Sequence, residues 1–233
     1  MTAKKLALGV GCFVMCFCFS LVFAGPEVVA AVEKPKGRYA YPKVYFHLKE
    51  FPQDQEIMCS IERPVFHKKE QLSRFRVNES GKILKLDGTE ASALEMVAQG
   101  YLRGEQITAT FCTQDGAAIA STSVIPSPVL HEIPEKNLTL SAVLLFAFPI
   151  ANYELQIGGL QDGEKFTFRS QSAGEKLEQE VIYGEYKGFV YSPDILNGLG
   201  GVGEVSIITN RGTLFLQLPW GYRLFDAAET TKH

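Results

Sequence analysis

From Lys43 onward the chain runs in short alternations of apolar and polar residues separated by turn residues. Val44-Tyr45-Phe46-His47-Leu48 combines β-branched and aromatic side chains, and Ile57-Met58-Cys59-Ser60-Ile61 alternates apolar with small ones. Both patterns predict strands. Phe75-Arg76-Val77 and Ile83-Leu84-Lys85-Leu86 flank Asn78-Glu79-Ser80-Gly81, which predicts a hairpin with a glycine-containing loop. The stretch from Gln106 to Cys112 reads as a strand, Asp115-Gly116 as a tight turn, and Ala117 to Ile125 as the strand that pairs back. Between Glu90 and Gln99 the apolar residues Ala91, Leu94, Val97 and Ala98 suit a short helix as well as a strand.

Pro126-Ser127-Pro128 and Pro134 interrupt this pattern and predict a boundary near residues 126–136. Leu138 to Phe148 is then almost wholly apolar and is closed by Pro149, as a bent core strand or a buried helix would be. Tyr153-Glu154-Leu155-Gln156-Ile157 alternates with period two, so one face is wet. Strands follow at Phe166–Ser170, Gln179–Tyr183, Phe189–Tyr191, Val205–Thr209 and Leu214–Leu218, the last two joined by Asn210-Arg211-Gly212. About seven strands with turns between them predict an antiparallel sandwich. The expected fold is mainly β: a first β-rich module over 43–130, a second sandwich module over 131–222, and a polar tail over 223–233. Residues 25–42, with Pro26, Pro35 and Pro42, read as an extended tether.

The first 24 residues change the arithmetic. Lys4 and Lys5 precede an uncharged run from Leu6 to Phe23, and Val22-Phe23-Ala24 suits cleavage after Ala24, so 1–24 reads as a signal segment. The run is long enough to rival a membrane span, which keeps an uncleaved N-terminal anchor as the alternative. Cleavage would leave 209 of the 233 residues and move the formal charge from −3 to −5. Three of the five cysteines, Cys12, Cys16 and Cys18, fall within the signal run, which leaves Cys59 and Cys112 as an expected disulfide of an exported protein.

An internal repeat runs through the chain. Glu95 to Thr108 aligns without gaps on Glu154 to Thr167, with identities at Glu95/Glu154, Gly100/Gly159, Gly104/Gly163, Glu105/Glu164 and Thr108/Thr167. A looser copy, Phe51 to Glu56, precedes the strand that holds Cys59. Each copy is a strand, a turn, an acid and another strand; the turn residue permits the tight connection and the acid keeps it solvated. Gly158 to Phe168, its partner Gly100 to Thr110, the strand after Gly188 and the closing Leu218-Pro219-Trp220-Gly221 together resemble bacterial immunoglobulin-like modules. The resemblance implies tandem immunoglobulin-like sandwiches and carries no activity with it. The second module departs from the antibody pattern, because it has no cysteine pair and its tryptophan stands at its end.

The chain carries few signatures of catalytic or metal chemistry. There is no Gly-x-Ser-x-Gly elbow, no His-Glu-x-x-His, no clustered Cys-x-x-Cys and no acid ladder for calcium, so no catalytic, cofactor or metal residue is assigned. His47, His67 and His131 stand far apart, and a dispersed hydrolase site stays open only as an alternative. Gly198-Leu199-Gly200-Gly201-Val202-Gly203 matches the dinucleotide fingerprint in letters, but a strand follows it where a helix is needed. Gly198, Gly200, Gly201 and Gly203 are therefore expected to form a flexible loop, a candidate binding rim. Asp162, Glu164 and Glu175 are candidates for one acidic end of the second module. Lys68, Lys69, Arg63, Arg74 and Arg76 make a local basic cluster, while 23 basic against 26 acidic residues exclude a general nucleic-acid binder. Asn78-Glu79-Ser80 and Asn137-Leu138-Thr139 are glycosylation sequons, relevant only in a host with that machinery.

The expectation is a secreted or periplasmic, non-enzymatic binding or accessory protein of the cell envelope. Its partner would be an unidentified protein or glycan, with no cofactor and no nucleic acid. A membrane enters only if the N-terminal segment is retained, as in an anchored structural component.

Overall fold

The structure is a computed structural model that describes residues 25–35, 41–185, 189–193 and 200–225. The signal segment, Gly188 and Gly198 lie outside the described residues. The first half holds β1 (Glu27–Glu33), β2 (Lys43–Lys49), β3 (Glu56–Arg63), β4 (Lys68–Val77), β5 (Ile83–Lys85), β6 (Glu90–Ala91), β7 (Leu94–Val97), β8 (Ile107–Thr113) and β9 (Ile119–Val124). The second half holds β10 (Val129–Ile133), β11 (Leu138–Phe146), β12 (Asn152–Gly158), β13 (Lys165–Ser172), β14 (Glu175–Ile182), β15 (Phe189–Tyr191), β16 (Gly200–Ile208) and β17 (Thr213–Gly221). The remaining elements among the described residues are three short 3-10 turns, Pro64–Phe66, Pro134–Lys136 and Tyr222–Phe225.

The strands form four antiparallel sheets, ordered β1-β2-β7, β6-β5-β4-β3-β8-β9, β10-β11-β12-β15 and β14-β13-β16-β17. One apolar core draws its residues from the first two sheets, among them Phe46, Phe75 and Phe111. Phe111 is its hub, with ring centroids 5.5, 6.5 and 6.3 Å from those of Phe46, Phe51 and Phe75. A second core gathers Leu140, Tyr153, Phe166, Val205, Leu216 and Trp220 from the last two sheets. Both halves follow one connection order. β1 and β2 lead across to β3 and β4, back to β7 beside β2, then across again to β8 beside β3 and on to β9. β11, β12, β13, β14, β15, β16 and β17 repeat that path in sequence, and β10 is an added edge strand beside β11.

Period-two burial explains most of these strands. In β8 the side chains of Ile107, Ala109 and Phe111 are buried while Thr108, Thr110 and Cys112 are half-exposed on the other face. The ambiguous stretch at Glu90–Gln99 is β6 and β7, where Leu94 and Met96 face the core and Glu95 and Val97 do not. β14 forms an open sheet edge whose first six residues are all exposed. Its Glu178 and Glu180 pair across to Arg169 and Lys165 of β13 at 2.8 and 2.7 Å. The opposite edge of that sheet, β17, runs beside β10 and is closed by side chains. The Phe215 N–H donates to His131 Nδ1 at 2.9 Å, and the Tyr153 hydroxyl donates to the Pro219 carbonyl at 2.6 Å.

Several expectations are corrected. Cys59 and Cys112 are free thiols, not a disulfide. Cys59 sits opposite Phe111, and Cys112 sits opposite Met58, one position out of register. A one-residue offset on paired strands puts the two side chains on opposite faces, with Cys59 in the core and Cys112 outside it. The tether contains a real strand, because Glu27–Glu33 pairs with Lys43–Lys49 along its whole length. β10 runs from Val129 to Ile133, and Leu224, within the stretch read as a tail, is 1% exposed. Gly200, Gly201 and Gly203 are not loop residues but part of β16, paired with Gly221, Trp220 and Leu218. Close packing explains the glycines: a Cβ on Gly201 would stand 2.8 Å from the Trp220 ring, and one on Gly203 would stand 2.5 Å from the Tyr191 hydroxyl.

Candidate functional site

Three crossings between facing sheets share one backbone design. Each has two left-handed residues four positions apart: Glu50 and Asp54, Gly100 and Gly104, Gly159 and Gly163. The second of each pair donates its N–H to a carbonyl near the end of a neighbouring strand, of Val77, Ser127 and Tyr183 at 3.0, 2.8 and 2.9 Å. The residue that follows is Gln55, Glu105 and Glu164 respectively. In the loosest copy Gln55, not Glu56, therefore stands where the other two carry an acid.

In the two acidic copies an arginine from a neighbouring segment closes the loop. Arg63, at the end of β3, holds Glu105 through two bonds of 2.7 and 2.8 Å and donates to the Gly100 carbonyl at 3.1 Å. Arg211, between β16 and β17, holds Glu164 at 3.0 Å and donates to the Gly159 carbonyl at 2.7 Å. Each glutamate also accepts a backbone N–H three residues earlier, of Leu102 at 2.8 Å and of Gln161 at 3.1 Å. This is a capped turn held from outside by a forked cation.

The two clamps differ in setting. The Glu105 side chain is fully buried and that of Arg63 is partly buried, and the guanidinium lies against the Phe66 and Tyr101 rings at 4.6 and 4.4 Å. Burial opposes the Arg63 charge, but the hydrogen bonds and charge of Glu105 outweigh it and hold the arginine above its ordinary pKa. Leu102 of this loop enters the second core, Val65 and Phe66 pack against it, and the Leu144 N–H donates to the Gly104 carbonyl at 2.8 Å. The first clamp thus sits where the two halves meet, while the second is more open but still partly buried, with the exposed Gln161 in the place of Leu102.

The other notable surface lies at the loop tips of the second half. Phe146, Phe148 and Ile150 are 52, 53 and 43% exposed, and Tyr222 and Phe225 are 65 and 52% exposed. The Phe148 and Phe225 rings stack at 6.0 Å and 22°, which joins the two tips. Alternating buried residues fix them in place: Ala147 and Ala151 in one tip, Trp220 and Leu224 in the other. From Leu138 to Tyr153 there is no charged residue, and from Pro219 to Phe225 the single charge is Arg223. The bent apolar run was legible in the sequence as core; β11 loses its regular register between Leu144 and Phe146, and the residues beyond turn outward.

The remaining candidates disperse. Within the basic cluster, Arg63 is committed to Glu105, Lys68 pairs with Glu70, and Arg74 pairs with Glu56 at 3.5 Å. Glu164 is held by Arg211, and Glu175 lies at the opposite end of β13 from it, so no acidic end forms. Among the described residues no three His, Cys, Asp or Glu side chains come together as a metal site would require. Asn78 is occupied within its own turn, accepting from Ser80 and Lys82 and donating to Glu90. A shallow groove of about 370 Å³ on the outer face of β13, β14, β16 and β17 is lined by Gln171, Glu204, Ser206 and Phe215 beside the Arg169–Glu178 pair. No protein-family model matches the chain, and no curated protein matches it either.

Proposed function

We propose that the chain is an exported, non-enzymatic binding or accessory protein of the cell envelope, built from two immunoglobulin-like sandwiches in tandem. The shared connection order of the two halves supports the immunoglobulin-like reading, since it places strands from consecutive crossings side by side in each sheet. The observation that carries the binding role is the apolar cluster of Phe146, Phe148, Ile150, Tyr222 and Phe225, exposed on tips that the core beneath them holds rigid. Clusters of this kind on a folded protein mark interaction surfaces. Proximity labelling in the native envelope tests the role. A neighbour labelled by the wild type and lost with Phe148→Ser/Phe225→Ser is expected; identical labelling by both would overturn it. The length of the Leu6–Phe23 run favours a second reading, an anchored structural component. The intact mass of the native protein separates the two, because loss of residues 1–24 is expected for export and a full-length product for anchoring.

A further inference from the structure

We propose that the aromatic tips of the second half are a bilayer-contact site, which inserts Phe146, Phe148, Ile150 and Phe225 into the headgroup region of a phospholipid membrane. The inference rests on the binding role above and names the partner of that surface. Three features point to lipid. The first is composition: three phenylalanines and an isoleucine supply apolar side chains that can be buried at the headgroup–acyl boundary, and the tyrosine beside them pairs an apolar ring with a polar hydroxyl. The second is charge. Among the described residues of the two tips there is no carboxylate, and the one charged side chain is Arg223, so none of them repels phosphate. The third is rigidity. Ala147, Ala151 and Leu224 are at most 2% exposed, so the exposed rings cannot turn inward without emptying the core, and insertion needs no refolding. The first tip offers no hydrogen-bonding side chain except the Asn152 amide, which already donates to the Ile150 carbonyl at 3.2 Å.

The single tryptophan of the chain is a built-in reporter, because Trp220 lies two residues before Tyr222 and is 6% exposed. The test uses the full chain with vesicles of phosphatidylethanolamine and phosphatidylglycerol carrying brominated acyl chains, with phosphatidylcholine vesicles as the comparison. Bromolipid is expected to quench Trp220 fluorescence in the wild type. Phe148→Ser/Phe225→Ser is expected to lose most of that quenching with an unchanged thermal midpoint. Phe146→Ser/Ile150→Ser, on one tip alone, gives a second reading if the first pair folds poorly. The readout is local to this end, so an apolar N-terminal segment that holds the chain on vesicles does not imitate it. Absence of quenching in wild-type protein, or equal quenching in the variants, would overturn the proposal. So would a lipid-independent dimer that the same substitutions dissociate. If the vesicle response is absent while proximity labelling still loses a protein neighbour in Phe148→Ser/Phe225→Ser, the bilayer is the wrong partner and the binding role stands; if both responses are absent, both fail.

Discussion

Arg63 and Glu105 stand 42 positions apart in the chain and meet in a two-point ion pair of 2.7 and 2.8 Å, at the contact between two separate apolar cores. The glutamate has no exposure of its own, so it depends on the arginine for compensation of its charge. Removing the arginine therefore leaves a buried carboxylate rather than a cavity. Arg63→Ala is expected to lower unfolding stability by about 3–5 kcal/mol, and Arg63→Lys by less, because lysine keeps the charge without the fork. Arg211→Ala, at the more open copy, is expected to cost less, about 1–2 kcal/mol. Urea unfolding of the three variants checks the order, and equal losses at Arg63 and Arg211 would show that burial does not separate the clamps.

The two thiols are expected to behave as different chemical groups. Burial pushes the Cys59 pKa up to about 12 from an ordinary 9.0, so it stays protonated and shielded, whereas Cys112 is partly open on the outer face. Iodoacetamide at pH 8 should label Cys112 alone in native protein and both cysteines in urea. Peptide mapping after mild oxidation should show no Cys59–Cys112 bridge.

The same burial makes alkali destabilising. The unfolded chain releases the Cys59 proton near 9 while the folded chain keeps it to about 12, so the contribution is intact below 9 and is lost as pH rises through that window. The urea midpoint should fall between pH 8.5 and pH 10.5 by more in the wild type than in Cys59→Val, both pH values being about half a unit or more clear of the ends of that window. Equal falls would assign the alkaline loss to other groups.

Two glycines with the same backbone hand should respond differently to alanine. Gly159 and Gly163 both have φ near +85°, at +85 and +84°, but a Cβ on Gly159 would lie 1.6 Å from the Asn137 carbonyl oxygen while one on Gly163 meets nothing within 4 Å. Gly163→Ala is expected to cost about 1 kcal/mol from the left-handed conformation alone. Gly159→Ala should cost several times more, because backbone must move. Thermal midpoints of the pair measure this difference.

At the closed edge of β17, His131→Ala removes the acceptor of the Phe215 N–H and is expected to cost about 1 kcal/mol. Hydrogen exchange at the Phe215 amide should accelerate in this variant, and unchanged protection would mean that neighbouring strands shield it without the imidazole.

Much of the fold could be read from local pattern. The alternations at Ile107–Thr113 and Tyr153–Ile157 are strands, and Asn78–Gly81, Asp115-Gly116 and Asn210–Gly212 turn as their residue types require. What escaped depends on non-local register. The facing of Cys59 against Cys112 is decided by a single-residue offset between β3 and β8, which no spacing within either strand reveals. The glycines at 200, 201 and 203 look like a loop until Trp220 and Tyr191 are found packed on them. Arg63 reads as one member of a basic cluster because its partner, Glu105, comes from another crossing. Phe146 and Phe148 extend an apolar run without a break, and only the shift at the end of β11 turns them to solvent.

The edge formed by β14 has a consequence for the protein in a crowded compartment. A four-stranded sheet with an open side can template a further strand, and from there a fibre. Here the exposed row runs Glu175, Lys176, Leu177, Glu178, Gln179, Glu180, and its two inner acids are already matched to Arg169 and Lys165 on the same molecule. A second copy laid alongside would bring acid against acid and would compete with cations already engaged. The open edge of β14 is thus poorly suited to seed growth, and the chain carries its own guard against aggregation there.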